Sequence, residues 1–270
     1  MNTAKPLCAL MCAILTISPA VIAQDYPNRG IRILVPFTPG GATDIVTRIV
    51  AQKLSEQFGR QVVVDNRGGA GGIVGVEIVA KAAPDGYTLV MGTSGTHAIN
   101  ASLYPRLSYD PVKDFAPITR ASLLLSMIVV HPSVPASNVR QLIALAKKSP
   151  GLLTYASSGS AQYLTGALFT SMAQIDMVHI PFKGGGKALP AQLSGEVALS
   201  FSTVVSALPH VTGGRLRGLA VTSAKRTPAA PEFATFAESG LPGSEPLSGS
   251  GLCARARRAR GVTPPRPPQA

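Results

Sequence analysis

The sequence predicts an α/β protein with two lobes and mainly parallel sheets. Three observations carry this. From Ile31 onwards a short apolar run, a glycine- or serine-rich turn and an amphipathic helix recur in that order. That alternation builds parallel sheets covered by helices on both faces. The chain has 270 residues, 46% of them hydrophobic, enough for two ordinary domains with cores of their own. Finally, a stretch rich in Pro, Tyr and Asp, Tyr104 to Pro117, interrupts the alternation and leads towards a second lobe.

Ile31–Val35 reads as the first strand. It runs through Pro36-Phe37-Thr38-Pro39-Gly40-Gly41 into a helix beginning Ala42-Thr43-Asp44, whose apolar face is Ile45, Val46, Ile49, Val50 and Leu54. Adjacent glycines let backbone N–H groups approach a ligand. A helix start carries unpaired N–H groups and a partial positive charge, so this turn suits a small anion. Thr43 or Asp44 alternatively caps the helix. Gly59 ends it. Gln61–Val64 is the next strand, Asp65 to Gly72 its turn and Ile73 to Lys81 a short helix. Pro84-Asp85-Gly86 turns the chain into strand Tyr87–Met91, followed by Gly92-Thr93-Ser94-Gly95-Thr96-His97.

Beyond the Tyr104–Pro117 connection come strands around Ile118 and over Met127–Val130. Ser137 or Asn138 caps a helix that buries Val139, Leu142, Ile143 and Ala146. Leu153–Ala156 is a strand with the turn Ser157-Ser158-Gly159-Ser160-Ala161, and Leu164, Ala167, Leu168 and Met172 line the helix after it. Met177–Ile180 is a strand, Lys183-Gly184-Gly185-Gly186 its turn and Lys187 to Ser194 a helix. Val197–Phe201 runs into Ser202-Thr203, and Leu216–Val221 is the last clear strand. In such sheets ligands sit beyond the carboxyl ends of the strands. Every turn named here lies at such an end, so half-sites from two lobes face each other across a cleft.

Charge and cysteine content exclude several classes. Of the net charge of +12, residues 244–270 carry +4 and residues 1–23 carry +1. The remaining charges are scattered without basic runs or interleaved aromatics, which argues against nucleic-acid binding and suits attraction of small anions. Lys5, the apolar run Leu7 to Ile17 and Val21-Ile22-Ala23 form a signal peptide cleaved after Ala23. Cys8 and Cys12 leave with it, so Cys253 has no partner for an intramolecular disulfide, in keeping with a bacterial periplasm.

The motifs that suggest enzymes fail on spacing. Gly69-Ala70-Gly71 with Gly75 resembles a dinucleotide fingerprint, but Val74 stands where the third glycine belongs. Gly184-Gly185-Gly186-Lys187 lacks the first glycine and the hydroxyl residue of a phosphate loop, where Pro181 and Ala188 stand. Gly92-Thr93-Ser94-Gly95 approaches a nucleophile elbow, but Thr96 holds the final glycine position. His97 three residues on is a possible base, and on spacing a polar loop residue. His131, His179 and His210 show no metal-ligand spacing, and no paired carboxylates are placed for acid–base work. No metal or cofactor is expected. What remains is a set of backbone donors and small hydroxyls, suited to orienting a carboxylate.

The chain resembles the tripartite tricarboxylate transporter substrate-binding family, of the Bug or TctC type. The resemblance is carried by Ile33 to Phe37 with Pro39 to Asp44, Val64 to Arg67 with Gly69 to Gly72, and Pro84 to Leu89. It continues in His97 to Asn100, Leu103-Tyr104, Tyr109 to Pro111 with Asp114-Phe115, Pro181 to Gly184 and Leu216 to Thr222. It runs from about Tyr26 to Gly243. It implies a two-lobed periplasmic-binding-protein architecture, a Venus flytrap that closes on a small carboxylate. The resemblance implies that Phe37, Pro39, Gly40, Gly41, Ala42, Thr43 and Asp44 hold the carboxylate, often through waters. Thr93 and Ser94 add contacts from the same lobe, and Ser158, Gly159, Ser160, Ala161, Gly184, Gly185, Gly186, Ser202 and Thr203 from the other. Family members often carry Asp near position 202; Ser202 here argues against recognition of a ligand amino group.

The resemblance further implies a periplasmic monomer that presents its ligand to membrane transporter subunits or to a sensor kinase. The domains are then 1–23 signal peptide, 24–122 lobe 1, 123–222 lobe 2 and 223–243 a return towards lobe 1. Residues 244–270 depart from the family pattern. They read as a disordered Arg/Pro-rich tail from a frameshifted or truncated gene, with the return segment of lobe 1 missing. The competing readings are a non-functional truncated remnant, a dinucleotide-dependent oxidoreductase acting through Gly69–Gly75, and a hydrolase acting through Ser94.

Overall fold

A computed structural model of the chain describes residues 26–241 and 248–256. The expected signal peptide, the end of the 223–243 return segment and residues 257–270 lie outside the described residues.

The first lobe begins with β1 (Ile31–Val35), α1 (Ala42–Phe58) and β2 (Val62–Asn66). Gly59 closes α1 in the left-handed conformation, its N–H returning to the Ser55 carbonyl. A single turn at Ala70–Gly72 leads into α2 (Ile73–Ala80) and β3 (Thr88–Thr93). A π-turn at Gly95–Ile99 then runs into the one-turn helix α3 (Asn100–Leu103), and β4 (Phe115–Leu124) follows. β1 lies parallel to both β2 and β3. Side chains alternate along β1. Ile31, Ile33 and Val35 join Met91 and Ala51 on one face, while Leu34 joins Val76, Val79, Val90 and Phe115 on the other. Burial on both faces is why the strand reads as an apolar run, broken only by Arg32, which pairs with Asp65.

The second lobe comprises β5 (Ser126–Val130), α4 (Val139–Lys148), β6 (Thr154–Ser157) and α5 (Ser160–Ala173), then β7 (Val178–Pro181), α6 (Gly185–Leu193), β8 (Leu199–Thr203), α7 (Val204–Thr212) and β9 (Arg217–Val221). Its core gathers Ile128, Tyr155, Phe169, Leu199, Phe201 and Phe236. Asn138 caps α4, its side chain accepting from the Gln141 N–H at 2.9 Å. Helix α7 was not legible in the sequence: Pro209 interrupts it, and its buried face is small, with Val204 and Ala207.

Two features differ from expectation. Both sheets are mixed. Their orders are β2-β1-β3-β10-β4 and β7-β6-β8-β5-β9. β10 and β5 each run antiparallel to both neighbours, while the pairings of β1 and β6 are parallel. For β5 the reason is the crossing between lobes. β4 ends at Leu124 and β5 begins at Ser126, so the chain changes sheets at Leu125 without the helical crossover that a parallel strand needs.

The second difference is β10 (Ser248–Arg255), which lies inside the segment expected to be disordered. It is an inner strand of the first sheet, between β3 and β4. Leu252 is 5% exposed in the core against Met91, and Ser250 bonds Ser122 through their hydroxyls at 2.7 Å. Cys253 faces the other side of the sheet, and burial pushes its thiol up to about 11. The segment carries no signal of large alternating residues because Gly249, Gly251 and Ala254 fill a sheet interior with little side chain.

Candidate functional site

The turns at the carboxyl ends of β1, β3, β6, β7 and β8 meet between the lobes. They enclose a cavity of about 60 Å³, room for roughly four to six water-sized positions. From the first lobe come Phe37, Gly41, Ala42, Thr43 and Thr93; from the second come Ser158, Gly159, Ser160, Ala161, Gly185, Ser202 and Thr203. Among the described residues, no charged side chain lines it.

Backbone N–H groups and small hydroxyls, with the Gln162 amide, supply the polarity. The starts of α1, α5, α6 and α7 are capped in sequence by Gly41, Gly159, Gly184 and Thr203, and none of the four is closed by a side-chain hydrogen bond. Helix α4, whose start is not on the cavity, does have its Asn138 cap. Helix starts without a side-chain cap leave N–H groups free and partial positive charge pointing outwards, although at α7 the first of them, on Val204, donates to the Leu125 carbonyl at 2.8 Å. Four such ends around one uncharged cavity are suited to an anion.

The remaining predicted residues have other positions. Pro39, Gly40, Gly184 and Gly186 form the seam where the lobes touch rather than the cavity wall. The Thr38 N–H donates to the Lys183 carbonyl across it at 3.3 Å. A Cβ added to Gly186 would stand 1.7 Å from the Pro39 carbonyl oxygen. Gly40 has φ +84°, the left-handed region that favours glycine.

Asp44 lies beneath the turn, 3% exposed. Its carboxylate accepts from the Gly40 N–H at 2.9 Å, from Arg48 Nε at 3.0 Å and from Asn66 Nδ2 at 3.0 Å. Burial alone would raise its pKa; the Arg48, Gly40 and Asn66 donors outweigh that and hold it below the ordinary carboxylate value. Asp44 is therefore a clamp on the glycine turn and does not face the cavity. Replacing it with Ala frees the Gly40 N–H and loosens the turn. The expected cost is about 1–3 kcal/mol, read by urea unfolding. Unchanged stability in D44A would refute the clamp.

Ser94 lies on a second, apolar cavity of about 540 Å³ behind β3, together with His97 and Phe115. His97 does not act as the base of an elbow motif. Its ring packs over Gly92 and edge-on against Phe115, with centroids 4.8 Å apart. Its Nδ1 bonds Thr96 Oγ1 at 2.9 Å. Burial takes its pKa down to about 4, so the ring is neutral at pH 7. The Gly69–Gly72 turn is filled by the protein itself: a Cβ on Gly72 would meet Thr96 at 2.6 Å and Phe37 at 3.3 Å. Among the described residues, no cluster of three His, Cys, Asp or Glu is placed to hold a metal.

Several residues that shape the chamber were missed by sequence reading. Ser200 Oγ donates to Gln192 Oε1 at 2.6 Å and lies 2.7 Å from Ser202 Oγ, while Gln192 Nε2 donates to the Val129 carbonyl at 2.8 Å. This buried chain fixes Ser202 at the wall. A glutamine in an apolar helix gives no spacing signal for such a role. Asn100 is also fully buried at the seam, where it accepts from Ser160.

Two α/β lobes closing on a small chamber of helix N-termini define a solute-binding protein. Comparison with known proteins supplies the family. Residues 46–263 match the tripartite tricarboxylate transporter family receptor, TctC. The chain belongs to this family. It is 36% identical to protein BugT of Bordetella pertussis over 247 residues, 90% of this chain and 76% of that protein. It is 39% identical to a UPF0065 protein of Pseudomonas over 232 residues, 85% of this chain and 69% of the relative. Among solved structures, a protein of R. palustris with adipate superposes with TM-score 0.84 at 37% identity, covering 88% of this chain and 79% of that one. MatC of Rhodopseudomonas palustris with bound malate gives 0.82 at 31% identity, covering 85% and 79%. The periplasmic binding protein BugD also superposes, with TM-score 0.83 at 32% identity, covering 87% of this chain and 79% of that one.

Proposed function

We propose that this protein captures a small carboxylate in the periplasm and holds it between its lobes by backbone N–H groups. The observation that carries this is the set of four open helix starts around an uncharged chamber. Each such end contributes about 0.3–2 kcal/mol to holding an anion, and exclusion of water strengthens every bond inside. The adipate and malate of the neighbouring structures are ligands of this chemistry. The ligand is a mono-, di- or tricarboxylate or a related anion. Export by residues 1–23, action as a monomer, and delivery to membrane transporter subunits or a sensor kinase complete the proposal.

The test is a calorimetric and thermal-shift screen of carboxylates of two to six carbons at pH 7 on folded protein. Saturable binding of at least one is expected; no binding by any contradicts the proposal. The pH dependence follows from the same geometry. Among the described residues no titratable side chain lines the chamber, so affinity is expected to be flat between about pH 5.5 and 8 for a ligand already ionised there. Asp44 has a lowered folded pKa. Its contribution is therefore present above the unfolded value and is lost as pH falls through the lowered folded one. A bell-shaped affinity profile centred near pH 6.5 would contradict this chamber.

A further inference from the structure

We propose that Asn100 is a positioning residue for capture, latching the closed lobes through a direct hydrogen bond to Ser160. This deepens the carboxylate-capture reading and rests on it.

Asn100 opens the one-turn helix α3 in the first lobe, and Ser160 opens α5 in the second. Ser160 Oγ donates to Asn100 Oδ1 at 2.5 Å across the seam. Both residues are buried, at 0% and 4% exposed. Asn100 is held from behind: its Nδ2 donates to the Gly71 carbonyl at 3.3 Å and reaches Tyr109 Oη at 3.4 Å, while Tyr109 donates to the Thr96 carbonyl at 2.6 Å. The acceptor is thus fixed in the first lobe before the second arrives. When the lobes part, Ser160 and Asn100 Oδ1 lose each other and meet water.

Two consequences follow. The Ser160 hydroxyl, expected from the sequence to touch the ligand, is occupied by the other lobe. What α5 offers the ligand is its backbone N–H groups, and the latch sets where they point. The bond also belongs to the closed form alone, so it shifts the open–closed equilibrium without touching the ligand. Such a shift changes the apparent affinity of every ligand by one common factor.

The experiment uses the full chain as wild type, Ser160→Ala, Asn100→Ala and the double variant. Succinate and adipate are the calorimetric probes, and small-angle scattering reads the ligand-free protein. S160A is expected to weaken both probes by the same factor, roughly three- to tenfold, and to enlarge the ligand-free radius of gyration. In the N100A background, S160A is expected to add no further loss. Loss for one probe only would make Ser160 a ligand contact and overturn the latch. So would unchanged affinity, or a full S160A loss on top of N100A. Should N100A fail to fold, S160A alone carries the test. Should wild type bind neither probe, a carboxylate that binds in the screen above replaces them; should none bind, the capture reading fails, while the scattering comparison still decides the latch: an unchanged radius overturns it and a larger one supports it.

Discussion

Substituting Gly186 with Ala is expected to abolish ligand capture while leaving the protein as stable as before, or slightly more so. The two effects have separate causes. Gly186 is the second residue of α6, and its φ does not lie in the left-handed region. Alanine there suits the helix better than glycine by about 0.5–1 kcal/mol. In the closed form, however, the new Cβ would stand 1.7 Å from the Pro39 carbonyl oxygen, about half a normal van der Waals separation. Backbone on both sides leaves no flexible side chain to move. The lobes must stay apart, and the four helix starts no longer surround the ligand. Carboxylate affinity is expected to fall about 100-fold or more, roughly 2.7 kcal/mol, as read by calorimetry beside a thermal melt. Wild-type affinity in G186A would show that closure at this seam is not required.

Ending the chain at residue 247 is expected to unfold the first lobe and spare the second. The truncation removes β10 from between β3 and β4. It deletes Leu252 from the core and opens two inner strand edges. Replacing a well-buried leucine alone costs about 2–5 kcal/mol, and each lost ladder bond about 0.5–1.5 kcal/mol. Together these match the whole stability of a typical domain, about 5–15 kcal/mol. The second sheet contains no part of β10. Amide exchange should therefore show β1 and β3 unprotected and β5, β6 and β8 still protected. Retained protection across β1 and β3 would refute the central place given to β10.

The sequence made some parts legible and hid others for physical reasons. β1 and the turn after it were readable because four apolar residues, Ile31, Ile33, Leu34 and Val35, buried on both faces, run straight into Pro and Gly. The glycine turns of both lobes were likewise placed at strand ends. Their division of labour was not readable. Gly41 lies on the chamber and Gly186 on the seam, and only the docking of the lobes separates those roles. Asp44 could be named as a ligand contact or a cap. Its true partners, Arg48 and Asn66, lie one helical turn on and on another strand. Asn100 and Gln192 were silent because a buried amide gains its meaning from partners 60 and 63 residues away. β10 was hidden by its own smallness, since glycine, serine and alanine pack a sheet without writing a hydrophobic period.

A crystal structure of the chain grown with succinate tests the central claim most directly. It is expected to show a carboxylate oxygen about 3 Å from a backbone nitrogen of Ala42 or Thr43, with α5 supplying donors from the opposite side. A succinate whose acid groups lie outside this chamber, or are held by Lys or Arg side chains, would contradict it.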